Sequence, residues 1–217
     1  MNVEELRLFI NALANREQTG NSLSPNEYNS YLARANEDLF RKEVGIREQP
    51  NGTIFFDNSQ VSTDALLPFI KESPITVING FANLPTDYRH TVSATNSVNN
   101  KIVTFLTKRE FDEILTDSIN FPTDIYPCAT FVQGELKLRP LTTTSLNFTY
   151  LRKPAVPFWN YTIINDEPVY DPTGSVQIEF PEITHITFAR LILGYMSIQF
   201  RDADLLQYAM KVQAAGV

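Results

Sequence analysis

The chain has 217 residues, of which 43% are apolar, 20% charged and 12% aromatic, and its formal net charge is −7. This balance supports a buried core and excludes a disordered chain, a collagen and a disulfide scaffold. An isoelectric point near 4.9 argues against wrapping free nucleic acid, because neutralising phosphates takes clustered Lys and Arg. The small basic clusters Arg41-Lys42, Lys108-Arg109, Lys137/Arg139 and Arg152-Lys153 read as solvated helix ends and strand edges.

From the N-terminus, Asn2 and Glu5 have capping-box spacing, and Val3, Leu6, Phe9, Ile10 and Leu13 mark one helical face. Residues 17–23 are polar, contain Gly20 and read as a loop. Ser24-Pro25-Asn26-Glu27 is a second helix start, with Ser as cap, Pro in the first position and Glu in the third. Tyr28, Tyr31, Leu32, Ala35 and Leu39 follow at helical spacing. Arg41 and Lys42 complement the dipole, and Gly45 supplies a left-handed stop. A short helix is expected over 65–71, behind Asp64. Residues 1–74 thus read as an N-terminal helical part.

Residues 75–179 read as a β-rich module. Strands are expected over 75–82 and 101–106, separated by an Asn-rich tip at 92–100. Thr107 and Glu110 form another capping box, and Phe111, Ile114 and Leu115 place a short helix at 108–117. Cys128–Val132 and Glu135–Arg139 flank Gln133-Gly134, a two-residue hairpin signal. Leu146, Phe148 and Tyr150 alternate along a half-buried strand at 145–152. Asp171-Pro172-Thr173-Gly174 fits a type I turn, with strands expected at 161–164 and 175–179. Pro181 and Glu182 then open a largely apolar, buried helix through Ile183, Ile186, Arg190, Leu193 and Ser197, and Asp202 or Asp204 restarts a last one. Residues 180–217 are expected to pack back on the N-terminal helices. The fold class predicted is α+β: terminal helices packed as a bundle, with an inserted antiparallel β-rich module. Loop 92–100 and tail 213–217 are expected to order on assembly.

Chemical motifs are sparse. No two of the eight glycines are two, four or five apart, which excludes the dinucleotide fingerprint, the P-loop and the nucleophile elbow. One Cys and two His cannot build a Cys/His zinc site. His185 reads as a satisfied core or interface histidine, and His90 as a structural hydrogen-bonding group. The carboxylate pairs Glu4/Glu5 and Asp202/Asp204 suit helix starts, and Asp112/Glu113 suits a solvated face. Cys128 has no intrachain disulfide partner. The start of the chain lacks a signal-peptide pattern, and its apolar runs fall far short of the ~20 residues of a membrane helix. No catalytic residue, metal or cofactor is expected, and no membrane partner.

Two segments concentrate directional groups. Leu84-Pro85-Thr86-Asp87-Tyr88-Arg89-His90 reads as a compact turn. Tyr150-Leu151-Arg152-Lys153-Pro154-Ala155-Val156-Pro157-Phe158-Trp159 ends a strand in an arm stiffened by Pro154 and Pro157, which cannot be a central strand. Its aromatic load, Phe158, Trp159 and Tyr161, suits either interface anchoring or packing on its own domain.

At these residues the chain resembles the small neck or ring proteins that join portal to tail in crAss-like, Bacteroides-infecting tailed phages. The resemblance is carried by LSPNEYNSYLARANEDLFRKEVG (23–45), LPTDYRH (84–90), LTKREFDEILTDSINFPT (106–123), YLRKPAVPFW (150–159) and the closing FPEITHITFARLILGYMSIQ. The order of elements is also similar to the head-to-tail adaptors of short-tailed phages. The resemblance implies a non-enzymatic virion subunit, assembled in the host cytoplasm as a homo-oligomeric ring of twelve copies. It implies docking on the portal protein and neighbouring ring or tail proteins, with DNA passing through the channel without sequence-specific binding. It also implies a structural interface role for Leu84, Pro85, Asp87, Tyr88, Arg89, His90, Tyr150, Arg152, Lys153, Pro154, Pro157, Phe158 and Trp159. The competing readings are a tail-associated receptor- or glycan-binding module, a glycan hydrolase, and a subunit of another virion layer.

Overall fold

The computed structural model describes residues 1–13, 23–48, 54–56 and 64–200. The chain is α+β, and it divides into two compact units: Met1–Pro68 with Pro154–Val217, and Phe69–Lys153. The boundaries expected at 74/75 and 179/180 therefore fall at 68/69 and 153/154. The first moves because a strand already begins at Ile70. The second moves because Ala155 and Trp159 hydrogen-bond to an N-terminal helix.

In the first unit, α1 (Val3–Leu13) and α2 (Pro25–Glu43) form where the caps placed them. Glu5 N–H donates to Asn2 Oδ1 at 2.8 Å while Asn2 N–H donates to Glu5 Oε2 at 2.9 Å. Ser24 and Glu27 make the same reciprocal pair. Gly45 ends α2 at φ 84°, a left-handed stop that favours glycine. Two short strands follow, β1 (Ile46–Glu48) and β2 (Ile54–Phe56), paired antiparallel. Val3, Leu6 and Ile10 of α1, and Tyr28, Leu32, Ala35, Leu39 and Phe40 of α2, are buried. So are Phe188, Ala189, Ile192, Leu193 and Met196 of α4 (His185–Phe200). Tyr28 donates its hydroxyl to the Val3 carbonyl at 2.7 Å, and Tyr195 of α4 donates to Asp38 of α2 at 2.5 Å. Burial accordingly pushes both tyrosine hydroxyls well above their ordinary pKa. Ile183 and Ile186, expected within the buried helix line, are instead exposed, Ile183 by 81%. Residues 182–184 form a 3-10 turn, and burial begins at its last residue, Thr184. A helix restarted at Asp202 or Asp204, the bundle packing it would complete, and the tail 213–217 lie outside the described residues.

The second unit holds two sheets around one core. Strands β3 (Ile70–Thr76), β9 (Ser145–Arg152) and β5 (Tyr88–Asn96) form an antiparallel sheet in that order. Strands β4 (Phe81–Asn83), β8 (Glu135–Arg139), β7 (Cys128–Val132) and β6 (Thr104–Phe105) form the other, with β6 parallel to β7 and the remaining pairs antiparallel. The alternation read from sequence sets the inner faces: Leu136 and Leu138 of β8 meet Leu146, Phe148 and Tyr150 of β9, with Ile75, Ala94 and Ala129. Short α3 (Lys108–Thr116) starts at the Thr107–Glu110 capping box and buries Phe111. Its exposed face carries the pairs Lys108–Asp112 and Arg109–Glu113, which identifies this basic cluster as a solvated helix face. The β7–β8 turn has φ 54° at Gln133 and 84° at Gly134, the two left-handed residues of a type I′ turn.

Several local readings change. The helix expected over 65–71 is a single 3-10 turn at Leu67–Phe69, because residues from Ile70 onward pair with β9. The strand expected over 75–82 splits, and a turn with φ 54° at Asn79 and 79° at Gly80 separates β3 from β4. Residues 92–96 belong to β5 and only 97–100 form the tip. Residues 175–179 are not a strand; Val176 makes one isolated bridge to Phe158. The partner of β10 (Tyr161–Ile164) is β11 (Glu167–Tyr170), across a turn with φ 53° at Asn165 and 63° at Asp166.

Candidate interaction site

The structure brings together two segments that the sequence singled out separately. Tyr88 pairs with Arg152 and His90 with Leu151 across β5 and β9, and Arg89 occupies the bulge between them. Asp87, at the start of β5, joins three segments. Its Oδ1 accepts from the Tyr150 hydroxyl at 2.8 Å, its Oδ2 accepts from Lys71 Nζ at 2.8 Å, and its carbonyl accepts from Lys153 N–H at 2.7 Å. The hydrogen bond from Lys71, then the one from Tyr150, hold the Asp87 carboxyl below its ordinary pKa. Burial, reinforced by Asp87, pushes the Tyr150 hydroxyl up. Around this junction Leu84 is half-buried against the core, and the Pro85 carbonyl accepts from Tyr88 N–H at 3.0 Å. The Tyr88 ring lies 5.8 Å from Phe148 and 6.1 Å from Tyr150. The Arg152 guanidinium sits 5.4 Å over the Phe69 ring. Lys71 carried no sequence signal, since its role depends on register across the sheet.

Residues 154–159 belong to the other unit and pack along α2. Asn36 Nδ2 donates to the Ala155 carbonyl at 3.1 Å. One side chain, Asn29, satisfies both backbone groups of Trp159: Oδ1 accepts its N–H at 2.8 Å and Nδ2 donates to its carbonyl at 3.1 Å. Asn29 and Asn36 are seven residues apart, about two helical turns or ~10 Å along one side of α2, so the two amides hold the segment at two separate points. Polar residues at that spacing on an amphipathic helix were the signal that could have found them.

Trp159 is 0% exposed. Its Nε1 donates to Glu4 Oε2 at 2.5 Å, the Arg7 guanidinium lies 4.4 Å over its ring, and Tyr28 meets it edge-on at 6.4 Å. An outward role for Trp159 is therefore corrected: of the two readings of this arm, packing on its own domain holds for Trp159 and for buried Pro157. Phe158 remains exposed, and Pro154 is half-buried.

The largest exposed apolar side chains lie elsewhere. At the end of the second unit away from Asp87, Val98 is 78% exposed, Ile102 72% and Tyr126 76%, with Ile125 and Leu141 also exposed. Their loops are tied through Asp124, whose carbonyl accepts from Asn99 Nδ2 at 2.6 Å and whose Oδ1 accepts from the Thr142 hydroxyl at 2.5 Å. Ile119, 88% exposed, sits in a turn held by Asp117 Oδ1. In the first unit, residues 162–169 of the β10–β11 hairpin are exposed on both faces, including Ile163, Ile164 and Val169.

His185 is buried with Nε2 2.9 Å from the Phe180 carbonyl, and His90 sits within the β5–β9 ladder. Burial raises the Cys128 thiol pKa, opposite to the shift an activated nucleophile needs. Among the described residues no three acidic, His or Cys side chains cluster as metal ligands, and no helix is long and apolar enough to cross a membrane. No family model matches the chain, and no curated protein matches it.

Proposed function

We propose that this chain is a virion structural protein, one subunit of a twelve-membered ring in the portal-to-tail neck of a crAss-like phage. In this reading the ring surrounds the channel through which the genome leaves, and the subunit acts by geometry rather than by turnover. Its partners are further copies of itself, the portal protein and the adjoining ring or tail proteins. The net charge of −7 favours DNA sliding past without adhering, since like charge repels phosphate.

The observation that carries the reading is the apolar surface held on ordered backbone in both units. Exposed apolar side chains gathered on one surface, as distinct from ones scattered singly, mark interaction sites. Here one set of exposed apolar side chains is fixed around Asp124, and another stands on the β10–β11 hairpin. A closed ring uses two different surfaces per subunit, because each head-to-tail contact joins unlike faces. The hydrogen bonds of Asp87, Lys71 and Tyr150 are all structural, and they support a role for Leu84 to His90 and Tyr150 to Lys153 in holding the module's shape.

The test is native mass spectrometry and negative-stain imaging of the purified full chain, alone and mixed with its portal protein. Rings of one defined stoichiometry are expected. A compact monomer under every condition, portal present, would count against the reading.

A further inference from the structure

We propose that two copies of this chain pair through the edge of β10, across a two-fold axis at Thr162, into one four-stranded sheet ordered β11–β10–β10–β11. The inference stands apart from the ring reading above. It begins with which backbone groups of the hairpin already have partners. Asp171 N–H donates to the Asn160 carbonyl at 2.9 Å, so Asn160 turns its backbone groups toward β11. The alternation of an antiparallel ladder turns those of Thr162 and Ile164 the same way. The N–H and C=O of Tyr161 and Ile163 therefore point away from β11, and no group among the described residues bonds them. Such a bare edge is a template for another strand. The other margins of the described sheets are short or blunted. Pro74 sits in β3, β5 carries two bulges and is covered at its far end by Ile102 and Val103, and Pro168 leaves β11 without an outward donor there. Strands β1, β2 and β4 have three residues each and β6 has two.

The free edge of β10 is bounded at both ends, and those bounds select the occupant. At Trp159, the preceding outward residue, the Asn29 side chain takes both backbone groups. At the other end the Asn165-Asp166 turn begins. What fits between is one short extended strand with two outward residues of its own, and β10 of a second copy is such a strand. Laid antiparallel about Thr162, it lets each Tyr161 exchange backbone hydrogen bonds with Ile163 of the other copy. Thr162 then faces Thr162, and each Tyr161 ring lies beside an Ile163 side chain. Thr–Thr and aromatic–β-branched pairs are favourable cross-strand neighbours, and Ile163, 70% exposed in the single chain, is covered. The tips, each with exposed Asp166 and Glu167, fall at opposite ends of the joint sheet. They lie roughly 20 Å apart, beyond the ~8 Å Debye length at physiological salt, so their like charge does not oppose the pairing. The contact is isologous, whereas neighbours in a ring meet head-to-tail. It uses the edge of β10 and leaves the face bearing Ile164 and Val169 open, so it joins two free chains or two rings.

The experiment uses the purified full chain without its portal protein, which separates its outcome from that of the ring test. Thr162→Cys sets a thiol opposite its own symmetry mate, with Cβ atoms about 4.5–5.5 Å apart, and native Cys128 is buried. Mild oxidation is expected to give a covalent dimer and no larger species. Val169→Cys is the control: it shares that face of the hairpin, but three strand spacings, about 14 Å, part it from its mate, and about tenfold less dimer is expected. Ile163→Pro removes only the outward N–H of β10, as Pro168 does on β11. Sedimentation velocity is expected to show dimerisation weakened about tenfold or more, with circular dichroism and Trp159 emission unchanged. Equal cross-linking of the two cysteine variants, or association that ignores Ile163→Pro, overturns this inference and leaves the ring reading standing. A chain that dimerises in this way yet forms no ring with its portal overturns the ring reading alone.

Discussion

The hydroxyl of Tyr150 reaches Asp87, 63 residues earlier in the chain, at 2.8 Å. Through that bond the end of β9 is fastened to the last residue of the β4–β5 connection, and Lys71 and Lys153 are fastened to the same residue. Tyr150→Phe keeps the ring against Phe148 and removes the hydroxyl. We expect a loss of about 1 kcal/mol, the ordinary net value of one hydrogen bond, read from the urea midpoint at constant m.

The same junction sets a pH response. Because the Asp87 carboxyl is held below its ordinary value of 3.8, its contribution is fully present above that value and is lost as pH falls through the lower folded-state value. Asp87→Asn should flatten the dependence of stability on pH in this acid range and leave its shape near neutrality unchanged. A carboxyl-detected NMR titration placing Asp87 at or above 3.8 would contradict the geometry.

Asn29 and Asn36 hold the Pro-stiffened segment to α2. Asn36→Ala should cost about 1 kcal/mol and Asn29→Ala about 2, since the latter strands both backbone groups of Trp159. Denaturant titrations of the two variants give the ranking, and an equal or reversed order would show that the amides do not clamp the segment.

Trp159 is the one tryptophan of the chain, so its fluorescence reports on its own surroundings. Folded protein should emit as a buried indole, resist acrylamide and shift red on unfolding. Trp159→Ala should cost about 3–5 kcal/mol by leaving a cavity. Emission typical of a water-exposed indole in the native state would contradict the packing on Arg7, Tyr28 and Glu4.

Two glycines separate backbone strain from crowding. Both Gly80 and Gly134 have positive φ, 79° and 84°. A Cβ at Gly134 meets open space, whereas one at Gly80 lies 2.9 Å from the Leu138 carbonyl oxygen. Gly134→Ala should therefore cost about 1–2 kcal/mol, the left-handed penalty alone. Gly80→Ala should exceed it, because β8 must also shift. Thermal midpoints of the pair decide the order.

Local signals written within a few residues were readable from sequence. The Ser24–Glu27 and Thr107–Glu110 capping boxes, the Gln133-Gly134 turn and the inward alternation of Leu146, Phe148 and Tyr150 each rest on neighbours in the chain, and each appears in the fold. Readings that depend on distant partners were less legible. Residues 65–71 carry apolar spacing that suits a helix, but pairing with β9, some 80 residues later, takes Ile70 onward into a sheet. The β10–β11 hairpin was misplaced because Asp171-Pro172-Thr173-Gly174 is the stronger turn signature, while Asn165-Asp166 lacks the glycine that marks a type I′ turn. At the candidate site the two segments were found, but not that Asp87 joins Tyr150, nor that Trp159 turns inward.

Ile70 stands opposite Leu151 on adjacent strands, so the chain leaves and rejoins the helical unit through points about 5 Å apart. To that unit the 85-residue stretch Phe69–Lys153 is topologically no more than an oversized hairpin bend. Such a junction tolerates exchange: any stretch whose two ends lie equally close together could replace it without rerouting the rest of the chain.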